Sequence, residues 1–320
     1  MRLLKLVPDN TNIQFVRWRY VGVGVTLFLV VMAVVGLMTR GLNYGVDFAG
    51  GIMLQIGFEE EAQIDDIRSR VGALGLGNAN VQEFGSPEVV SIRLPLPESD
   101  DEDDEAVQQV GSQVLNSLTT AYPDATLRSQ EIVSGKVSGE LIRDGTLAAL
   151  LAMVGVAAYI WFRFEWQFGV GALVALVHDV LIALGLFGWT GLEFNLNIIA
   201  AMLTIIGYSL NDTIVNYDRI RENLRKYRKM EMIPLLDLSI NEMLARTVMT
   251  SLTMAVALIA LIVFGGEVLF GFTLAMLIGV FIGTYSSIYV AGPILLWLGV
   301  GPNSFLPEED TGAERVSAKS

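Results

Sequence analysis

Six long apolar runs, more than any overall average, limit what this chain can fold into. They cover residues 20–38, 145–162, 166–191, 194–215, 247–266 and 268–298, and each is 18 residues or longer. At 1.5 Å of rise per residue, such a run laid out as a helix matches the hydrocarbon core of a bilayer. The chain is 52% hydrophobic and only 17% charged. Its apolar residues come in blocks of spanning length, not as stripes on amphipathic faces, which argues for a membrane protein over a large soluble core. The first run follows Arg2, Lys5, Arg17 and Arg19. It exceeds the apolar stretch of a signal peptide and lacks a small-residue cleavage site, so it reads as an uncleaved first span. The last run is over-long for a straight crossing and must tilt, kink at Pro293 or reach past the bilayer.

The net charge of −13 is unevenly placed. Between Arg40 and Arg143 stand 18 acids and 7 bases, and so acidic a segment is a poor nucleic-acid binder. By contrast, the stretch 218–232 carries Arg219, Arg221, Arg225, Lys226, Arg228 and Lys229. Six crossings place that stretch and the basic amino terminus on one side, which the positive-inside rule makes cytoplasmic. A loop for RNA or ribosomes is the functional alternative, and a topology determinant at the lipid headgroups is the simpler reading.

The expected architecture is a polytopic α-helical membrane protein. Residues 1–19 form a cytoplasmic amino terminus, 20–39 the first transmembrane helix and 40–142 a periplasmic domain. Helices two to six fill 143–299 with a basic cytoplasmic loop at 217–243, and 300–320 form a cytoplasmic tail. Within the insert, 46–58 is strand-like and 62–74 is helical, with acids at its front that suit the helix dipole. Short strands are expected at 81–84 and 89–96. A second helix should run from the acid run 100–105 to about Tyr122, and a closing strand covers 126–133. That βαββαβ order is the ferredoxin-like plan. Gly50-Gly51 implies a bulge or a close backbone approach.

One carboxylate interrupts the fourth run. Asp212 is its only ionised group, and a carboxylate at membrane depth costs roughly 2.5–3.5 kcal/mol, so it persists only where paired, wetted or used. Arg246 opens the fifth run, and antiparallel neighbouring helices would hold the two at similar depth. A pair 4 Å apart gains about 4 kcal/mol at an effective dielectric of 20. Protonating the acid would remove that attraction, whereas the arginine stays charged. Tyr208, Ser209 and Asn216 lie on the same helical face as Asp212, with Asn211 beside it, and are candidate polar support. Thr247, Thr250 and Ser251 add hydroxyls near Arg246. A proton relay is one reading of the pair; a static brace fixing helix register is the other. His178 and Asp179, midway along the third run, point about 100° apart on a helix and should not share one partner. Asp179 either joins the polar interior or bridges backbone and water. Gly271, Ala275, Gly279, Gly283, Ser287 and Ala291 recur every four residues in the last run, a groove for close helix packing.

Cysteine is absent, which excludes disulfides and thiolate sites, and a single histidine without an acid cluster argues against zinc. No phosphate loop, nucleophile elbow or metalloprotease helix is present. The chain is therefore expected to be no hydrolase and to need no cofactor or metal.

The motifs L-N-Y-G-V-D-F-A-G-G at 42–51, A-L-V-H-D-V-L-I at 175–182 and I-I-G-Y-S-L-N-D-T-I-V-N-Y-D-R-I-R-E-N at 205–223 resemble the SecD/SecF family, in the resistance-nodulation-division superfamily. So do L-A-R-T-V-M-T-S at 244–251 and the small-residue segment 270–291. The resemblance implies that Asp212 and Arg246 are proton-path residues and that the chain is a membrane subunit of the Sec protein translocase. It implies a SecD partner, the SecYEG channel and YajC as further candidate partners, translocating preprotein as client, and membrane lipid but no nucleic acid. The expected location is the bacterial inner membrane, where the proton motive force would promote late-stage translocation. A proton-driven exporter half-unit of the same superfamily, for small molecules or ions, is the alternative.

Overall fold

The computed structural model describes residues 7–8, 11–84, 86–96 and 104–301. Arg2, Lys5, the acids at 100–103 and the tail beyond 301 lie outside the described residues. Six helices are long and apolar enough to cross a membrane, in the spans Val16–Thr39, Val137–Arg163, Trp166–Thr190, Leu196–Lys226, Met232–Phe264 and Val268–Trp297. Between the first and second sits a small sheet domain.

After α1 (Arg19–Thr39) come β1 (Asn43–Tyr44), a single helical turn α2 (Val46–Ala49) and β2 (Gly51–Gly57). The expected strand at 46–58 is thus a helical turn followed by a shorter strand. Gly50 and Gly51 cause the break, with φ of 68° and 118°, values that L side chains rarely adopt. They also permit the expected close approach, since a Cβ on Gly51 would stand 2.5 Å from the Leu94 carbonyl oxygen. The bulge lies further on, between Gln55 and Ile56.

The domain continues with α3 (Ile64–Ala73), β3 (Asn80–Phe84), β4 (Ser86–Leu94), α4 (Asp104–Thr119) and β5 (Thr126–Val133). The sheet order β3-β4-β2-β5, antiparallel throughout, is the ferredoxin-like arrangement. As the inner strand next to β5 and β4, β2 is buried along its whole length. Alternate residues Ile52, Leu54 and Ile56 pack on Ile67 and Val71 of α3 and on Val114 and Leu118 of α4. Burying a side chain of that size stabilises by about 1.5–3 kcal/mol.

The membrane part comprises α5 (Gly135–Arg163), α6 (Trp166–Thr190), α7 (Leu196–Lys226), α8 (Met232–Phe264) and α9 (Glu267–Ser286). A short strand β6 (Glu193–Phe194) precedes α7, and a π-helical turn Ser287–Ala291 leads from α9 into α10 (Gly292–Trp297). The central helix, α7, packs against α5, α6, α8 and α9. One expectation needs correction here. The basic stretch is not a loop from 217 to 243, because α7 runs on to Lys226 and α8 begins at Met232. Charged side chains favour helix where water reaches them, and Arg219 joins the two helices through Glu242 at 2.7 Å. In the last span the α-helix gives way to the π turn just ahead of Pro293, whose ring and missing amide hydrogen disturb the preceding turn.

Hydrogen bonds fix both ends of the bundle. At one end, the Val16 amide donates to Asp237 at 2.9 Å and the Ile13 amide to Asn241 at 2.9 Å. At the other, β1 pairs in parallel with β6, Asn43 opposite Glu193 and Tyr44 opposite Phe194.

Candidate functional site

Asp212 projects from α7 into the junction of α8 and the π turn. Its Oδ1 accepts a hydrogen bond from Thr247 at 2.7 Å and its Oδ2 one from Ser287 at 2.7 Å. Arg246, the expected partner, makes no ion pair with it within 4.0 Å among the described residues, although its charge acts on the acid at longer range. Neighbouring residues on a helix point about 100° apart, so Thr247 turns toward the acid while Arg246 does not. The Arg246 side chain instead lines a cavity of about 680 Å³ with Arg163, Asp218, Arg221, Arg225 and Lys226, at the end of the bundle where α7 meets α8. A carboxylate held by two neutral donors near a fixed positive charge has one hydrogen bond on each oxygen yet gains no direct ion pair. That leaves it able to exchange a proton without breaking a salt bridge.

A second acid lies alongside, this one buried. Asp179 is fully buried (0% exposed), with His178 at 4%. Its Oδ2 accepts from Ser209 at 2.5 Å and from Ser286 at 2.7 Å, and its Oδ1 meets Nδ1 of His178 at 2.8 Å. The two adjacent residues of α6 therefore bond to each other despite their helical offset, because the imidazole is long enough to fold back. Of the alternatives at Asp179, the structure shows it in the polar interior.

The remaining expected residues divide. Ser209 serves Asp179, not Asp212, and Tyr208 donates to Ser251 at 3.4 Å. Asn216 is buried and Asn211 exposed, and neither bonds Asp212. Gly271, Gly279 and Gly283 all face α7: a Cβ on each would meet Ile198 at 3.3 Å, Ile205 at 2.5 Å and Ser209 at 3.0 Å. Two partners escape sequence reasoning. Ser287 reads as one small residue in a packing stripe, and Ser286 has no periodic signal at all. The hint available was two successive hydroxyls in an apolar run.

Asp47 was also missed. From α2 its Oδ2 accepts the amide of Leu196, the first residue of α7, at 2.9 Å. The sheet domain thus caps the helix that carries Asp212. Arg93 of β4 donates to the Tyr44 carbonyl, and Asn43 reaches Gln82 at 2.8 Å and the Gly191 carbonyl at 2.9 Å. Among the described residues no group of three His, Cys, Asp or Glu side chains could hold a metal ion.

This arrangement, a ferredoxin-like domain between the first two of six spans with an acid deep in the fourth, has close relatives. Residues 113–301 match the family of the protein export membrane protein SecD/SecF, C-terminal, and 35–62 match the SecD/SecF GG motif. The chain belongs to the SecD/SecF family. It is similar to protein translocase subunit SecF of Cereibacter sphaeroides, 42% identical over 97% of this chain and 96% of that one. The subunit of the same name from Vibrio alginolyticus is 40% identical over 98% of both. Among solved structures, SecDF of Thermus thermophilus, described as a translocon-associated membrane protein, superposes with a TM-score of 0.82 at 34% identity. That match covers 91% of this chain, which spans only 39% of the longer SecDF chain. The GG motif of this SecD/SecF chain is the Gly50-Gly51 turn, which places Asp47 beside the end of α7.

Proposed function

We propose that the chain is the SecF-type subunit of a bacterial Sec protein translocase, coupling proton movement to late stages of protein export. The carrying observation is Asp212, a carboxylate inside a membrane span held by hydroxyls of two other elements beside the fixed charge of Arg246. Each charge crossing 100 mV releases about 2.3 kcal/mol, comparable with the hydrogen bonds that a change of protonation rearranges. Protonation turns Asp212 from acceptor to donor and alters what α8 and the π turn hold. Movement of α7 then reaches the sheet domain through Asp47 and the β1–β6 pair. The basic ends of α7 and α1 favour the cytoplasmic side under the positive-inside rule, which supports a periplasmic sheet domain with both termini inside, and the six apolar helices with the SecF relatives support the inner membrane.

SecD is the partner that the longer SecDF relative supports, with SecYEG, YajC and emerging preprotein in the working assembly. The exporter alternative draws on superfamily membership alone, whereas the relatives are named for protein translocation. The test is Asp212→Asn in cells that depend on this chain. Export should fall while co-purification with SecD is retained, and normal export would reject proton coupling at Asp212.

A further inference from the structure

Ser286 and Ser287 are consecutive, yet they serve different acids on different helices. Ser286 donates to Asp179 of α6 at 2.7 Å, and Ser287 donates to Asp212 of α7 at 2.7 Å. They sit where α9 gives way to the π turn, a distortion that frequently accompanies functional sites. Each hydroxyl also has a second acceptor in its own helix. Ser286 Oγ lies 3.2 Å from the Gly283 carbonyl and Ser287 Oγ 3.0 Å from that of Thr284. A serine has a single proton to donate, so each is a two-position switch. While its acid is ionised, the hydroxyl points to the carboxylate. Once the acid gains a proton, the acid donates to Oγ and the serine proton turns to the backbone carbonyl already in place.

His178 enlarges the capacity of the Asp179 side. With Nδ1 protonated and bonded to an ionised Asp179, Nε2 is a bare acceptor, and that atom is buried without a partner among the described residues. Buried polar atoms are rarely left so. An imidazole whose free nitrogen faces no competing group can receive a proton at Nε2 and stabilise it through Asp179.

We propose that Asp179 and His178 form a second proton-holding station, linked to Asp212 through the adjacent hydroxyls of Ser286 and Ser287, so that the two acids change protonation together. The inference rests on Asp212 being the coupling acid. Other ionisable groups nearby are few. Tyr285 of α9 lies beside the His178 ring, with centroids 6.3 Å apart, and donates to the Gly22 carbonyl of α1. Arg246 stands on α8 near Asp212. The segments 21–38 of α1 and 247–264 of α8 carry no ionisable side chain, 145–162 of α5 adds only Tyr159, and 196–215 of α7 adds only Tyr208. No third carboxylate stands in those segments to take the proton.

The experiment is an infrared pH titration of protonated carboxyl groups in the chain assembled with its SecD partner in lipid vesicles. Interacting acids titrate as a pair, with a displacement of about one pH unit or more when one is removed. The step lost in Asp179→Asn should therefore move by at least about one unit in Asp212→Asn. Ser287→Ala, which keeps both acids, should separate the two titrations. His178→Gln, checked by retained SecD co-purification, should shift the Asp179 step even if Asp179→Asn does not assemble. If Asp212 titrates while Asp179 shows no step, or shows one indifferent to Asp212 and Ser287, the second station is overturned and the coupling role of Asp212 stands. If Asp212 itself never titrates, that role fails and the link fails with it.

Discussion

Glu193 is where the sheet domain joins the membrane helices, and its charge should set how firmly they hold. It lies opposite Asn43 in the β1–β6 pair, and the Gly45 amide donates to the Phe194 carbonyl at 2.9 Å in the same clasp. Burial, the largest influence, pushes its carboxyl from 4.5 up to about 7; Arg93 opposes this, and Glu131 and Asp47 add to it. With the clasp open, Glu193 returns to the ordinary value. Between pH 4.5 and 7 the closed clasp therefore binds a proton that the open one has lost. Closure is fully favoured below that window and weakens as pH rises through it. A shift of about 2.5 units corresponds to about 3.4 kcal/mol. Residual solvent around the half-buried side chain screens it, and halving leaves about 1.7 kcal/mol, roughly a 20-fold change in the opening equilibrium. Hydrogen exchange of the peptide containing Gly45, corrected for intrinsic rates and compared at pH 4.5 and 8, reads that equilibrium. The wild-type chain should lose protection by about that factor at the higher pH, and Glu193→Gln should stay nearly level. Equal pH dependence in the two would refute the reasoning.

Other perturbations test other joints. Asp47→Ala removes the acceptor at the start of α7, a cap worth about 1 kcal/mol, so exchange at the amides of 196–198 should quicken about 5-fold, with Asp47→Asn affected less. Gly279→Ala forces a Cβ against Ile205; overpacking costs about 1–3 kcal/mol, and the melting temperature in detergent should drop. Gly24→Ala on α1, where a Cβ meets nothing within 4 Å, should leave it unchanged. An unaltered melting temperature in Gly279→Ala would show that α7 and α9 can separate at no cost.

Much of the organisation was legible because it depends on short-range patterns. Spanning length follows from unbroken apolar runs, and the βαββαβ order follows from alternation of period 2 and 3.6, so 126–133 emerges as β5 with the same bounds. Local geometry escaped where glycines allowed a change of direction, as at α2, or where charged residues kept a helix going, as at the end of α7. At the site, the rarity of Asp212 and Asp179 within apolar runs made them visible. Ser286 and Ser287 were not visible as their partners, because such hydroxyls look ordinary in a small-residue stripe, and Thr247 and Ser209 were visible only beside Arg246 and on the Asp212 face.

From sequence alone came the class of protein, the number of crossings and the acids that membrane insertion makes costly to keep, since each depends on residues close together in the chain. Only the tertiary structure decided that Asp212 is held by Thr247 and Ser287 and not by Arg246, that Asp179 and His178 bond to each other, and that Asp47 grips α7. Those contacts join residues 35 to 149 positions apart, apart from the His178–Asp179 pair, whose rotamers depend on the surrounding pack. Which side chain reaches an intramembrane carboxylate is set by helix rotation and a single turn of π geometry, quantities that arise only when the helices pack.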